Sequence, residues 1–164
     1  MGFLLTLPEP PELDPHAATV VLDRLQDAGN VGAILRSASA FGFKQVVAIK
    51  GTAGLWSTKV LRAGMGAHFG LQLIESASAE NLKSLKIPLL GTDVREGPYL
   101  HDLLKQGGLT QKCAWVMGHE GRGVSAEIMA LVTQKIRIAQ PGGEESLNVA
   151  TAAAICLHAS ATSM

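Results

Sequence analysis

The sequence is short of the residues that would signal staples, stacking platforms or membrane spans. Two cysteines, Cys113 and Cys156, stand in 164 residues, too few for a disulfide framework. Both have apolar neighbours and fit buried thiols better than a disulfide or a metal pair. Aromatic residues make up only 4%, which weighs against binding single strands by serial stacking. Trp56 and Trp115 are read as packing residues. The histidines, His16, His68, His101, His119 and His158, lack metal-ligand spacing, so no metal is expected. No apolar run approaches the ~18 residues of a membrane span, and no basic-then-apolar signal opens the sequence. A reducing, cytoplasmic setting away from membranes is the expectation.

An excess of charge is missing too. Lys and Arg number 14, Asp and Glu 14, a balance that argues against strong non-specific binding of nucleic acid. The distribution is uneven, however. No acidic residue occurs between Ala28 and Ile74, whereas Arg36, Lys44, Lys50, Lys59 and Arg62 all do, a local charge of +5. A phosphate backbone could lie there unless acidic residues from elsewhere fold over it.

What is present describes one globular domain, with 47% apolar and 17% charged residues. The proline-rich opening, Leu7 to Pro15, cannot form a regular helix or a central strand, so residues 1–17 read as a linker or extended arm. From Ala18 onward strand and helix signals alternate. Strands are expected at Thr19–Leu22, Gln45–Ile49, Leu71–Ile74, Pro88–Thr92, Cys113–Met117 and Lys135–Ile138. Helices are expected at Val31–Phe41, Thr58–Met65, Ala79–Leu85, His101–Gln106, Ala126–Val132 and Leu147–Ala161. Such alternation predicts an α/β fold, a parallel sheet of about six strands with helices on both faces.

Three runs have the same setting, after an apolar β-branched stretch and before a helical pattern: Asn30 to Arg36, Gly118 to Gly123, and Ser146 to Thr151. Ligand sites in open α/β sheets form at the carboxyl ends of strands, and glycines let backbone approach a ligand closely. Three loops of this kind point to one site. Arg36 falls off the apolar stripe formed by Val31, Ile34, Leu35, Ala38 and Phe41. Asn30 could cap the helix that follows it. Glu120 sits just ahead of a helical pattern, where the dipole favours a carboxylate. Ser146 and Asn148 open the last helix, where Ser146 could serve as a cap.

These runs, Asn30-x-Gly32-x-x-x-Arg36, Gly118-x-Glu120-Gly121-x-Gly123, and Ile138 through Ser146-Leu147-Asn148, resemble motifs 1, 2 and 3 of the SpoU/TrmH class within the SPOUT superfamily of RNA methyltransferases. Order and spacing fit, and the resemblance runs from about Ala18 to the end. One departure is that the family often has Ile-Pro before motif 3, whereas this chain has Ile138-Ala139-Gln140-Pro141. The resemblance implies methyl transfer from S-adenosylmethionine to a ribose 2′-hydroxyl of structured RNA, with ribosomal RNA favoured over transfer RNA. It implies catalytic roles for Asn30, Arg36, Glu120, Ser146 and Asn148. Cofactor contacts are implied at Thr92, Gly118, Gly123, Ile138 and Leu147, largely through backbone atoms. Family proposals give Arg36 the task of deprotonating the hydroxyl, a demanding one because a guanidinium normally stays protonated. In the alternative, cationic Arg36 stabilises the alkoxide while Glu120, a phosphate or water takes the proton.

The resemblance also implies a C-terminal trefoil knot, a feature nearly absent from proteins at large. It implies a homodimer in which motif 1 of one chain faces the cofactor pocket of its neighbour. The final helix agrees, being apolar over a wide arc, with Ala150, Ala153 and Ala154 small enough to let a partner helix approach. A proline-rich segment like 1–17 joins an N-terminal RNA-binding domain to the catalytic one in many members, leaving 18–164 as the catalytic domain. Two other readings compete: a non-catalytic RNA-binding relative, and a nucleotide-dependent oxidoreductase. The latter rests on Gly121-x-Gly123-x-x-Ala126, with Glu144 and Glu145 some twenty residues on.

Overall fold

A computed structural model describes residue 4, residues 6–143 and residues 146–163. Glu144 and Glu145, the acidic residues of the dinucleotide reading, lie outside the described residues. Six strands form one parallel sheet: β1 (Thr19–Asp23), β2 (Gln45–Ile49), β3 (Gln72–Ala77), β4 (Leu89–Thr92), β5 (Ala114–Gly118) and β6 (Gln134–Ile136). Their order is β3-β2-β1-β5-β4-β6. Every residue of β1 and β2 is buried, as central parallel strands covered on both faces must be.

The two-residue period of the strands divides their side chains between two cores. Val20, Leu22, Val46, Ala48, Trp115 and Met117 pack beneath α1 (Ala28–Ala40), α2 (Thr58–Gly64), α4 (Leu100–Lys105) and α6 (Val149–Thr162). Val21, Val47, Ile49, Ala114 and Val116 pack beneath α3 (Ala79–Leu82) and α5 (Ala126–Met129). Buried Trp115 donates its indole N–H to Ser160 Oγ at 2.8 Å, pinning α6 to β5. Cys113 and Cys156 are buried free thiols. Burial, offset in part by a hydrogen bond with Ser160, pushes the Cys113 thiol up to about 11.

All twelve expected elements form, with ends that differ for identifiable reasons. Helix α1 begins at Ala28, three residues before Val31, because Asp27 and not Asn30 is its cap. The expected helices at Ala79–Leu85 and Ala126–Val132 are α-helical only to Leu82 and Met129, after which i→i+3 bonds such as Leu85 N–H to Leu82 O and Val132 N–H to Met129 O tighten the chain. Helix α6 begins at Val149, later than Leu147, with Asn148 and not Ser146 as its cap. Ala153, expected to welcome a partner helix, is turned into the protomer's own core.

The chain winds outward from β1 to β3, then crosses to build β4, β5 and β6 on the other side. Strands β1 and β5 are neighbours at that reversal, in a register that sets Asp23 beside Gly118. Open α/β sheets bind ligands in the crevice such a reversal leaves at the carboxyl ends of the strands.

Candidate active site

Strand β1 ends at Asp23, whose carboxylate is fully buried. It accepts the Ser125 N–H at 2.6 Å and Arg24 Nε–H at 3.1 Å, tying β1 to the residue that opens α5. Beside it β5 runs into a tight turn. His119 N–H donates to Gly123 O at 3.0 Å, and Gly123 N–H returns to His119 O at 2.8 Å. A Cβ on Gly118 would stand 2.3 Å from the Gly123 carbonyl carbon, so the turn can close over glycine alone. Gly123 itself has φ +68°. His119 Nδ1 accepts the Gly121 N–H at 3.0 Å, shaping the turn from within.

The turn exists to carry Glu120. Sequence placed this carboxylate at the N-terminus of the following helix; it instead reaches the N-terminus of α1, more than ninety residues earlier in the chain. Gln26 N–H and Asp27 N–H donate to its two oxygens at 3.2 and 3.1 Å, and Asn30 Nδ2 donates at 3.3 Å. Desolvation works to raise its pKa. Hydrogen bonds from its own backbone amide, from Asp27 and Gln26, and from the Asn30 side chain outweigh that, so the carboxyl sits below its ordinary value.

Because Asp27 takes the capping role, accepting Asn30 N–H at 2.7 Å, the Asn30 amide is free to link two loops. Its Nδ2 donates to Glu120, and its Oδ1 accepts Asn148 Nδ2 at 3.0 Å. Asn148 Oδ1 in turn accepts Ala150 N–H and Thr151 N–H, capping α6. The orientation of each amide is thereby dictated by its neighbours. One continuous chain of hydrogen bonds joins the starts of α1 and α6 to the turn after β5.

Behind this chain lies a cavity of about 490 Å³. Thr92, Gly118, Gly123, Ile138 and Leu147 all line it, as do Glu120, Ser146 and Asn148. Asn30 joins them through its two hydrogen bonds. Arg36 does not. It is exposed, lies about 9 Å further along α1 than Asn30, and its side chain makes no hydrogen bond or ion pair with Glu120 or any other described residue. Of motif 1, Asn30 is thus tied to the cavity of its own chain, and Arg36 stands outside it. Sequence reasoning passed over Asp93, Val94, His119 and Gln140, which also line the cavity. Gln140 carries a buried Oε1 that has no partner among the described residues. Its place in the run that departs from Ile-Pro was the available signal.

The family model described as the SpoU rRNA Methylase family matches residues 17–158. Among curated proteins, the 23S rRNA (guanosine-2′-O-)-methyltransferase RlmB of Bordetella pertussis is 34% identical, over 90% of this chain and 60% of its own length. The 23S rRNA (guanosine(2553)-2′-O)-methyltransferase RlmP of Bacillus subtilis is 31% identical, over 85% of this chain and 56% of its own. The chain thus spans little more than half the length of these relatives. Among solved structures, a TrmH-family protein from Porphyromonas gingivalis superposes with a TM-score of 0.81 at 34% identity, covering 93% of this chain and 62% of that one. The SpoU methyltransferase AviRb from Streptomyces viridochromogenes, solved in complex with AdoMet, gives 0.77 at 26% identity, over 91% and 61%. Family model, sequence identity and fold agree, and the chain belongs to the SpoU rRNA methylase family.

Proposed function

We propose that residues 18–164 are the catalytic domain of an RNA ribose 2′-O-methyltransferase that uses S-adenosylmethionine and acts in the cytoplasm on structured RNA, ribosomal before transfer RNA. The observation that carries this reading is the Asn148–Asn30–Glu120 chain at the mouth of a cavity lined by all five expected cofactor residues. RlmB and RlmP, named for 23S rRNA, support the choice of RNA. Residues 1–17 are read as a linker or extended arm, and the family's trefoil knot is part of the reading.

The cavity suits the cofactor. Its volume lies within the roughly 300–1,000 Å³ of small-molecule sites. Its lining comes mostly from the loops after β4, β5 and β6, and Gln140 Oε1 offers a buried acceptor without a partner among the described residues. When bound, S-adenosylmethionine supplies an electrophilic methyl carbon. Gly118, Ile138 and Leu147 would hold it through backbone atoms. The RNA hydroxyl must shed its proton to become a competent nucleophile. Glu120 is a poor base for that task, since four donors already stabilise its ionised form. Its role is to fix Asn30 and the start of α1. Arg36 is assigned to stabilise the developing alkoxide as a fixed cation, with the proton passing to a phosphate or water.

Arg36 does not line the cavity of its own protomer, and this supports a homodimer in which it completes the neighbour's site. A groove of about 670 Å³ between α4 and α6 offers an interface. Leu100, Leu104, Ile138, Ala154, Ile155 and Ala159 line it. Calorimetry with S-adenosylmethionine and with NAD, followed by nucleoside analysis of RNA after incubation with labelled cofactor, tests the function. Binding of S-adenosylmethionine alone and label on ribose 2′-oxygen are expected. Binding of NAD, or label on a base, would overturn the proposal.

A further inference from the structure

Two neighbouring residues are sorted the wrong way round for a protein that merely folds. His68, a polar ring, is 3% exposed, while Phe69, an apolar one, is 88% exposed. His68 is drawn inward by Leu55 O, 2.8 Å from its Nε2, and by Gly64, whose missing side chain leaves room for the ring. Phe69 has no such compensation. It stands on the single 3-10 turn Ala67–Gly70 that follows α2. Met65, 74% exposed, and Leu61 precede it at four-residue intervals, and exposed Lys59 and Arg62 stand on the same helix α2.

This surface borders Arg36. On α1, Gly32 is pressed against Ala63 of α2, and Ser39 Oγ would lie 3.6 Å from a Cβ on Gly70. Gly32, Arg36 and Ser39 fall within an arc of about 60° on the helix, so Arg36 leaves α1 on the side where α2 and the turn pack. The acid-free stretch from Ala28 to Ile74 supplies every cation here. Glu75, the next acid in the chain, spends its carboxylate on Leu55 N–H at 2.6 Å. No ion pair among the described residues neutralises Lys59, Arg62 or Arg36.

We infer that this surface binds unpaired RNA flanking the target nucleotide, with a base stacked on Phe69 against Met65 and phosphates held by Lys59 and Arg62. The inference rests on the methyltransferase reading for what the RNA is, and deepens it by naming where the strand lies. Stacking on an exposed ring tolerates any base, and cations of one sign suit a phosphate backbone. A second copy of the chain fits less well, because a two-fold contact through this face would set Lys59 and Arg62 against their own counterparts.

The test titrates the chain with a labelled RNA hairpin bearing an unpaired loop, and with a blunt RNA duplex of the same length. Phe69→Ala is expected to weaken hairpin binding by roughly five- to hundred-fold and to leave duplex binding within about two-fold. Arg62→Glu should weaken both and lower the salt dependence of each. Equal hairpin affinity for wild type and Phe69→Ala would overturn the inference. So would a loss of dimer mass in light scattering for Phe69→Ala, which would give the surface to a second copy. Calorimetry with S-adenosylmethionine on the same samples separates the two proposals. Failure to bind the cofactor, with the hairpin effect intact, would break the methyltransferase reading and leave the RNA surface standing.

Discussion

The two ends of helix α1 do opposite things. At its start the polar side chains hold one another: Asp27 caps the helix, Glu120 gathers two backbone amides, and Asn30 bridges Glu120 to Asn148. Two turns later the Arg36 side chain projects without a partner among the described residues, on the side of α1 where α2 and its exposed cations pack. A network whose members satisfy one another is a finished, rigid part. A cation left bare beside it is a part awaiting something. Within one protomer the network at the start of α1 closes on itself, and Arg36 stands apart from it.

Removing the bare cation should therefore have the largest kinetic effect and the smallest structural one. Arg36→Ala is expected to reduce methyl transfer by at least ~100-fold while S-adenosylmethionine affinity, measured by calorimetry, stays within a few-fold. Equal loss of both would make Arg36 part of the cofactor pocket and erase the contrast. On the finished side, Gly118→Ala should cost about 2 kcal/mol or more and abolish cofactor binding, because its Cβ would meet the Gly123 carbonyl carbon at 2.3 Å. Gly123→Ala meets nothing within 4 Å and bears only the strain of φ +68°, about 1 kcal/mol. Urea unfolding of the pair ranks them, and a reversed ranking would mean that the turn opens.

Asn148→Ala removes the α6 cap and the donor that orients Asn30, so about 1 kcal/mol of stability should go with it. The smallest effect concerns pH. Glu120 sits below its ordinary 4.5 in the folded chain. Its contribution to stability is therefore present above that value and lost as pH falls through the folded one. Glu120→Gln should lose stability near neutrality yet show a flatter decline of Tm towards about pH 3. An unchanged acid limb would mean that the carboxylate is not held by the α1 amides.

The same contrast explains what the sequence could reveal. Strands buried on both faces leave continuous apolar runs, and each was found within a few residues of its place. The glycines of the turn after β5 were legible because close backbone approach demands them. Contacts across long stretches of chain were not. Asn30 looked like a cap because Asp27, three residues earlier, competes for the same role and only geometry decides. Glu120 looked like a partner for its own helix, yet its donors lie on α1. The importance of Arg36 came from family resemblance alone, since periodicity says only that it avoids the core. Phe69 went unremarked because nothing in composition tells which of two adjacent rings turns inward.

The measurement that bears most directly on the divided site is complementation between two variant chains, each expected to be impaired in methyl transfer on its own. Arg36→Ala and Asn148→Ala proteins are mixed, allowed to exchange subunits, and assayed for ribose methylation. If Arg36 completes the neighbour's cavity, each heterodimer holds one intact site, and random pairing should restore about a quarter of wild-type activity. If heterodimers form, as mass analysis would report, and activity does not return, Arg36 and Asn148 serve the same protomer and the account of a shared site is wrong.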